Sequence, residues 1–385
     1  MITKLKNCNI LTNIDNNVLF GTEILVCDNK IMQIGKSDSA MQTDCEIDLD
    51  GALVIPGLNN IFCFPYALGI SYDKCINSNE YDSSIAYVKN KIDNNLDCKL
   101  LQDKFLSNGI TSSYLVDIED VKNIDFDKMQ LGYFVSVDEN LKDSLKNVET
   151  TISAMMETNY LKPILYINNI LNLSEESIEL VIQIAKKFDL FISVRVAKTL
   201  DEAGEIDKET GLSPISYLES LGFLDRKCLL LDCTNLDKED INTLSLYNDV
   251  VVGLSLESDM VLGNGIAPVC PLLNKGIKIV LGLDNLGVSN LDIFKEMYLA
   301  KYLQNATLCE RDVMLAKEIF NMATSNFDIF YNEKVGKVEK GYLANLIAIK
   351  NDRINFNNVY DSIINLVSGN DVTLTMVDGK IVYKK

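Results

Sequence analysis

Gly51-Ala-Leu-Val-Ile-Pro-Gly-Leu-Asn-Asn-Ile-Phe-Cys-Phe-Pro65 is the stretch on which the reading of this chain turns. Its first half is an apolar strand that turns at Pro56-Gly57. Its second half, Asn60 to Phe64, reads as a short buried strand ending in two large aromatics. Residues i and i+2 of a strand point to one face, so Phe62 and Phe64 are expected to project into the same space. The plain reading of that pair is two phenylalanines filling a core.

Working outward, the 385 residues are 47% hydrophobic, enough for one large core and a small satellite domain. Lys and Arg number 36 against 55 Asp and Glu, a formal charge of -19. So acidic a chain argues against nucleic acid or an anionic membrane as partner. No N-terminal apolar segment resembles a signal peptide, and no run is long enough to span a bilayer. A cytoplasmic location is therefore expected. The ten cysteines (Cys8, Cys27, Cys45, Cys63, Cys75, Cys98, Cys228, Cys233, Cys270 and Cys309) form no CxxC pair and are expected to be free thiols. There is no histidine. That removes the usual general base near neutral pH and the commonest metal ligand, and with them any Ser-His-Asp triad, Cys-His dyad or histidine-based zinc site.

Both ends of the chain read as short strands. Lys4–Leu11, Thr22–Cys27, Ile31–Ile34 and Glu46–Ile55 are strand-like at the N-terminus, with a turn at Asp28-Asn29-Lys30. Ala344–Ile349 is a strand near the C-terminus, and Val372–Val377 and Lys380–Tyr383 flank Asp378-Gly379, a strong hairpin signal. The middle alternates strand and helix. Ile110–Asp117, Leu131–Val137, Pro163–Ile167, Leu190–Ala197, Leu229–Cys233, Val250–Leu254 and Lys278–Leu283 are apolar runs rich in β-branched residues. Ser174 should cap a helix over Glu175–Phe188, with acids in its first turn and Lys186-Lys187 in its last. Ser213 should cap a helix that starts at Pro214, and Gly276 should close one over Pro271–Lys275. Residues 66–108 suggest a helical region, with Tyr81–Ile92 its clearest piece. With Asn60–Phe64 the count is eight strands, which fits an α/β fold of the (β/α)8 TIM-barrel type.

Several motifs carry a resemblance to a known family. Pro56, Gly57, Leu58 and Asn60 match the Pro-Gly-Leu-x-Asn-x-His-x-His run of the amidohydrolase superfamily, with Phe62 and Phe64 at the two histidine positions. Arg195-Val196-Ala197-Lys198-Thr199 is similar to the strand-five His-x-Ala-Glu-Thr run, with Arg195 at the histidine and Lys198 at the glutamate. Leu231-Asp232-Cys233 stands where the family has Ala-His-Cys, and Leu281-Gly282-Leu283-Asp284 where it has Leu-Gly-Thr-Asp; of the site positions only Asp284 is kept. The loop Leu256–Val269 resembles that of the cytosine deaminase-like branch, which includes methylthioadenosine/S-adenosylhomocysteine deaminases and chlorohydrolases. Ser289–Met297 resembles the helix after strand eight. Gly336–Gly341 with Ala344–Ile347 resembles a run near the family's C-terminus. The resemblance implies a barrel over residues 57–334 and a small composite β-sandwich domain built from residues 1–56 and 335–385.

The same resemblance places Phe62, Phe64, Arg195, Lys198, Asp232 and Asp284 at the family's metal-site positions. Phenyl rings cannot ligate a metal, and a guanidinium would repel a dication. Cys63 and Cys233 alternate away from the barrel mouth. No metal and no other cofactor is therefore expected. The family site balances a glutamate, an aspartate and a dication. Here Arg195 and Lys198 face Asp232 and Asp284, which also sum to zero. One expectation is that Arg195 forks onto Asp232, Asp284 or both where the metal would sit; the other is that Arg195 and Lys198 lean into solvent. Three functions remain open. The first is an inactive relative of a deaminase that binds a nucleoside-like ligand or regulates, as a homo-oligomer such as a homodimer or beside an active paralogue. The second is a metal-independent hydrolase of C–N bonds in a purine- or pyrimidine-like substrate, with Lys198, Asp232 and Asp284 as acid/base candidates. The third is a structural oligomer component.

Overall fold

The structure, a computed structural model, describes residues 1–12, 18–36, 42–65, 98–116, 127–137, 141–158, 161–285, 287 and 289–385. The helix expected over Tyr81–Ile92 lies outside them.

The N-terminal strands are β1 (Ile2–Leu11), β2 (Val18–Cys27), β3 (Lys30–Ile34), β4 (Cys45–Asp48) and β5 (Leu53–Pro56). The single strand expected over Glu46–Ile55 is two, β4 and β5, and both pair in parallel with β1. Lys6 faces Asp48 and Asn9 faces Leu53. The chain thus advances five residues where β1 advances three, and the surplus loops out at Asp50-Gly51, where both residues have positive φ.

Barrel strands follow as β6 (Leu58–Phe64), β7 (Ile110–Leu115), β8 (Gln130–Ser136), β9 (Ile164–Ile167), β10 (Phe191–Val196), β11 (Cys228–Asp232), β12 (Val250–Leu254), β13 (Lys278–Leu281) and β14 (Asp284–Asn285). They form one parallel sheet in the order β13-β12-β11-β10-β9-β8-β7-β6-β14. Strand eight closes it by changing neighbours. β13 pairs with β12 and Gly282 N donates to Leu254 O at 2.8 Å; then Leu283 N donates to Phe62 O at 3.1 Å and β14 pairs with β6. At Gly282 a Cβ would lie 3.0 Å from Ile61 Cγ2 and 3.2 Å from the Phe62 backbone, so the crossing favours glycine. Asn60 ties the seam: Nδ2 donates to Ser113 Oγ at 2.9 Å on β7, and Oδ1 accepts from Leu283 N at 2.9 Å.

The helices Glu175–Phe188 and Pro214–Ser220 begin where expected, with Ser174 and Ser213 each accepting a backbone N–H. The helix expected over Pro271–Lys275 runs from Val269 to Asn274 instead. Pro271 falls in its first turn, where a missing N–H leaves no bond unmade.

β15 (Leu346–Ile349), β16 (Val372–Val377) and β17 (Lys380–Lys384) bring the C-terminus back beside β5. The two chain ends so meet in one sheet ordered β17-β16-β15-β5-β1-β2-β3, with β4 beside β1. Alternation gives this sheet two apolar faces. Val54, Leu346 and Ala348 join a small core with Leu5, Ile24 and Leu374. Leu53, Ile55, Ile347 and Ile349 join the barrel's core instead.

Candidate functional site

At the C-terminal mouth of the barrel the chain brings together all six residues singled out in the sequence. Phe62 and Phe64, buried on one face of β6, meet edge to face with ring centroids 5.2 Å apart. Phe134 from β8 and Tyr166 from β9 extend the aromatic wall, 5.2 and 5.8 Å from Phe62. The Arg195 guanidinium rests on this wall, its Cζ 5.2 Å from the Phe62 ring and 5.7 Å from that of Phe64. Such cation–π contacts stabilise by roughly 0.5–2 kcal/mol, more when water is excluded.

The other edge of the guanidinium meets acid. Arg195 Nε donates to Asp232 Oδ2 at 2.8 Å and Nη2 to Asp232 Oδ1 at 3.0 Å, a two-pronged bond. Nη2 also lies 3.5 Å from Asp284 Oδ2. Lys198 Nζ sits 3.3 Å from Asp284 Oδ2 and 3.7 Å from Asp232 Oδ1. The two bases and two acids thus form a closed ring of charge with little solvent: Arg195 is 10% exposed, Asp232 5%, Asp284 3% and Lys198 20% by side chain. Burial opposes the charge on Arg195, but Asp232 and Asp284 outweigh it and hold the guanidinium firmly protonated. Burial likewise raises Asp284, yet Lys198 and Arg195 pull its carboxyl below the usual range.

The backbone is bent to aim these groups. Ala197, Asp232, Cys233 and Asp284 all have positive φ, between 42° and 71°. Each such residue other than glycine costs on the order of 1–3 kcal/mol, and such residues cluster at functional sites. Strand ends five, six and eight therefore turn sharply where their charged side chains converge.

Residues that the sequence did not single out also line the mouth. Ser258 Oγ donates to Asp284 Oδ2 at 3.1 Å. Asp259, 1% exposed, has its carboxyl pushed up to about 7 by burial and by the charge of Asp232. Glu202 is raised by burial and then by Asp232, while its Oε2 accepts from Lys198 N at 3.1 Å. Ser258 and Asp259 lie within the loop whose resemblance was noted, so position in that loop was the available signal. Phe134, Tyr166 and Glu202 carried none.

The donors present do not fit a divalent metal. Asp232 and Asp284 already face a guanidinium and an ammonium, and phenyl rings hold the neighbouring strand end. The Cys63 thiol is turned to β7, 3.6 Å from Ser113 Oγ and Tyr114 O, and burial pushes it up to about 12. Burial lifts Cys233 well above the thiol range, so neither offers a thiolate. Among the described residues no three of His, Cys, Asp and Glu group closely enough to hold an ion.

Comparison with known proteins agrees with this architecture. The chain is 29% identical over 215 residues, 54% of its length, to a 5-methylthioadenosine/S-adenosylhomocysteine deaminase of Caldicellulosiruptor saccharolyticus. It is 31% identical over 270 residues, 64% of its length, to a 5'-deoxyadenosine deaminase of Methanocaldococcus jannaschii. It spans about half the length of the first relative and 64% of the second. Among solved structures, an adenosine deaminase from Xanthomonas campestris with bound zinc superposes with a TM-score of 0.86 over 99% of this chain and 92% of that one. At 17% identity that likeness speaks for the fold alone. The family model for the amidohydrolase family matches residues 103–382. With the barrel, the terminal sheet and that match over most of its length, the chain belongs to the amidohydrolase family and is deaminase-like within it.

Proposed function

We propose that this protein is a metal-independent, catalytically inactive member of its family that works in the cytoplasm as a binding or regulatory subunit. The observation that carries the reading is the Arg195 fork onto Asp232, with Nη2 3.5 Å from Asp284. A family hydrolase of this kind relies on a metal to make hydroxide from water near neutral pH. Here a permanent cation occupies the carboxylates that a metal would need. Relatives named as deaminases of methylthioadenosine and 5'-deoxyadenosine support a small nucleoside-like ligand. Homo-oligomerisation, or pairing with an active paralogue, would give such a subunit something to regulate.

The test is a thermal-shift screen of the purified protein against adenosine, 5'-deoxyadenosine and methylthioadenosine, with ammonia release measured in parallel. A ligand that prefers the folded state raises the melting temperature. The expected result is a shift for at least one nucleoside and no ammonia above the blank. Absence of any shift would remove the binding role.

A second reading draws on Asp259, which adjoins the Ser258 bonded to Asp284 and whose carboxyl burial and Asp232 push up to about 7. A proton donor of that strength suits acid catalysis at neutral pH. Ammonia release that persists in the presence of a chelator and disappears in Lys198→Ala would favour that reading, a metal-independent hydrolase, over the inactive one.

A further inference from the structure

The terminal sheet has one covered edge and one open one. At β3 the chain lies alongside: Ile31 N donates to Tyr342 O at 2.9 Å and Gly341 N to Ile31 O at 2.8 Å. At the other edge β17 has β16 as its single neighbour among the described residues. Beside it runs the helix Cys98–Ser107, tied down where Thr375 Oγ1 on β16 donates to Leu106 O at 2.7 Å. Between helix and strand lies an open cleft of about 460 Å³, lined by Asp103, Lys104, Leu106, Ser107, Val382 and Tyr383.

Successive strand residues point to opposite faces, yet Val382 and Tyr383 both line the cleft. A bulge accounts for this. Thr375 faces Tyr383 and Met376 faces Ile381, so Val382 is one residue too many on β17. Ile381 packs into the sheet's own core, whereas Val382 and Tyr383 turn to the barrel's side. By the same alternation Lys380 and Lys385, both exposed, flank them on that side. The helix presents Leu100, Asp103, Lys104 and Ser107 at i, i+3, i+4 and i+7, a single stripe, and Leu100 is 46% exposed. The cleft thus continues as an apolar step along the helix.

Its floor is apolar and its rim is basic. Lys104, Lys380 and Lys385 stand against one lining carboxylate, Asp103. Asp378, beside Lys380 in the chain, is turned inward, where Gln130 Nε2 donates to its Oδ1 at 2.7 Å. A local excess of positive charge is set into a chain whose formal charge is -19. The bulge and the lysines bar an added strand, and most of all the same edge of a second copy, whose lysines would stand opposite these. An acidic segment that seats an apolar side chain meets neither obstacle.

We propose that this cleft is the docking surface for an acidic segment of a partner protein. One apolar side chain of that segment enters between Leu106, Val382 and Tyr383, and carboxylates on either side of it meet Lys104, Lys380 and Lys385. The surface is separate from the barrel mouth, so neither a nucleoside nor a metal there bears on it.

The experiment is a selection of random displayed peptides on the purified full chain, followed by affinity measurement of the enriched sequences. The expected yield is peptides with several Asp or Glu residues around a Leu, Phe or Trp. Their affinity should fall about tenfold between roughly 50 and 300 mM salt, because charges at an exposed rim are screened. Lys104→Glu, a reversal at an exposed position, should weaken them at least about tenfold, and Tyr383→Ala as much. Lys186→Glu, an equal reversal on the helix Glu175–Phe188, should leave them unchanged. Should Tyr383→Ala fail to fold, Lys104→Glu decides. Enrichment of basic peptides, no enrichment, or binding indifferent to salt and to Lys104→Glu would each overturn the proposal. So would a concentration-dependent dimer of the parent chain that Lys104→Glu abolishes, since a second copy would then fill the cleft.

Discussion

Arg195 is held by forces that are each expensive to lose. Its guanidinium has left water for a ring wall and two carboxylates, and a buried ion pair gains little net stability over an apolar replacement. Removing one member is different, because the partner stays buried and charged. Arg195→Ala is therefore expected to cost about 3–5 kcal/mol in urea unfolding. Arg195→Met combined with Asp232→Leu should cost much less than the two single changes summed, since no charge is then stranded. Asp259 gives a prediction in pH. Its carboxyl is raised to about 7 from an ordinary 3.8, so between those values the folded protein holds a proton that the unfolded chain has lost. The stability this proton contributes is fully present below about pH 4 and lost as pH rises through 7. One such group gives a slope of at most about 1.4 kcal/mol per pH unit. Stability measured across this window should fall more steeply for the parent protein than for Asp259→Asn; equal slopes would show that Asp259 does not hold the proton.

Among the elements, the helix Leu256–Leu262 matters most for the mouth, since it presents Ser258 and Asp259. It has only seven residues, and Ser255 at its start makes no side-chain cap. Glu296 does that work from outside, its two oxygens accepting from Leu256 N at 2.7 Å and Glu257 N at 3.1 Å. Glu296→Ala should cost about 1–3 kcal/mol and speed amide exchange in 256–262 while leaving the distant hairpin at Asp378-Gly379 unchanged. Uniform exchange in both would remove Glu296 from this role. Elements of this kind mark how far the sequence could be read. The β-branched runs located seven barrel strands, and Asn60–Phe64 the eighth, to within a few residues, because a parallel strand buried on both faces has little freedom of composition. Glu46–Ile55 misled because the alternation through Ile47 and Leu49 leads into the apolar run Ala52–Ile55 and reads as one strand, while the pairing with β1 breaks at Asp50-Gly51. In the site, motif position carried Phe62, Phe64, Arg195, Lys198, Asp232 and Asp284. Tyr166 and Phe134 were invisible, since nothing local distinguishes an aromatic facing the mouth from one facing the helices. Glu296 lies 40 residues from the N–H group it caps at Leu256, a distance that no local pattern spans.

Across the whole molecule, the terminal sheet and the barrel share apolar surface. Ile55, Ile347 and Ile349 belong to the barrel's core, whereas their neighbours in the same strands belong to the sheet's own. The division expected from the sequence, 1–56 with 335–385 against 57–334, can be tested through this seam. Ile347→Ala should cost about 2–5 kcal/mol and lower one common melting transition; two separated transitions would show that the parts unfold independently. The central claim also belongs to this scale, because strands one, five, six and eight must close the barrel before Phe62, Arg195, Asp232 and Asp284 can meet. It is that a cation fixed to the chain stands where relatives of this fold would place a free one. The most direct measurement is the zinc, iron and manganese content of the purified protein, set against protein concentration. The expected result is far less than one ion per chain, unchanged by prior incubation with zinc. About one tightly held ion per chain would contradict the account.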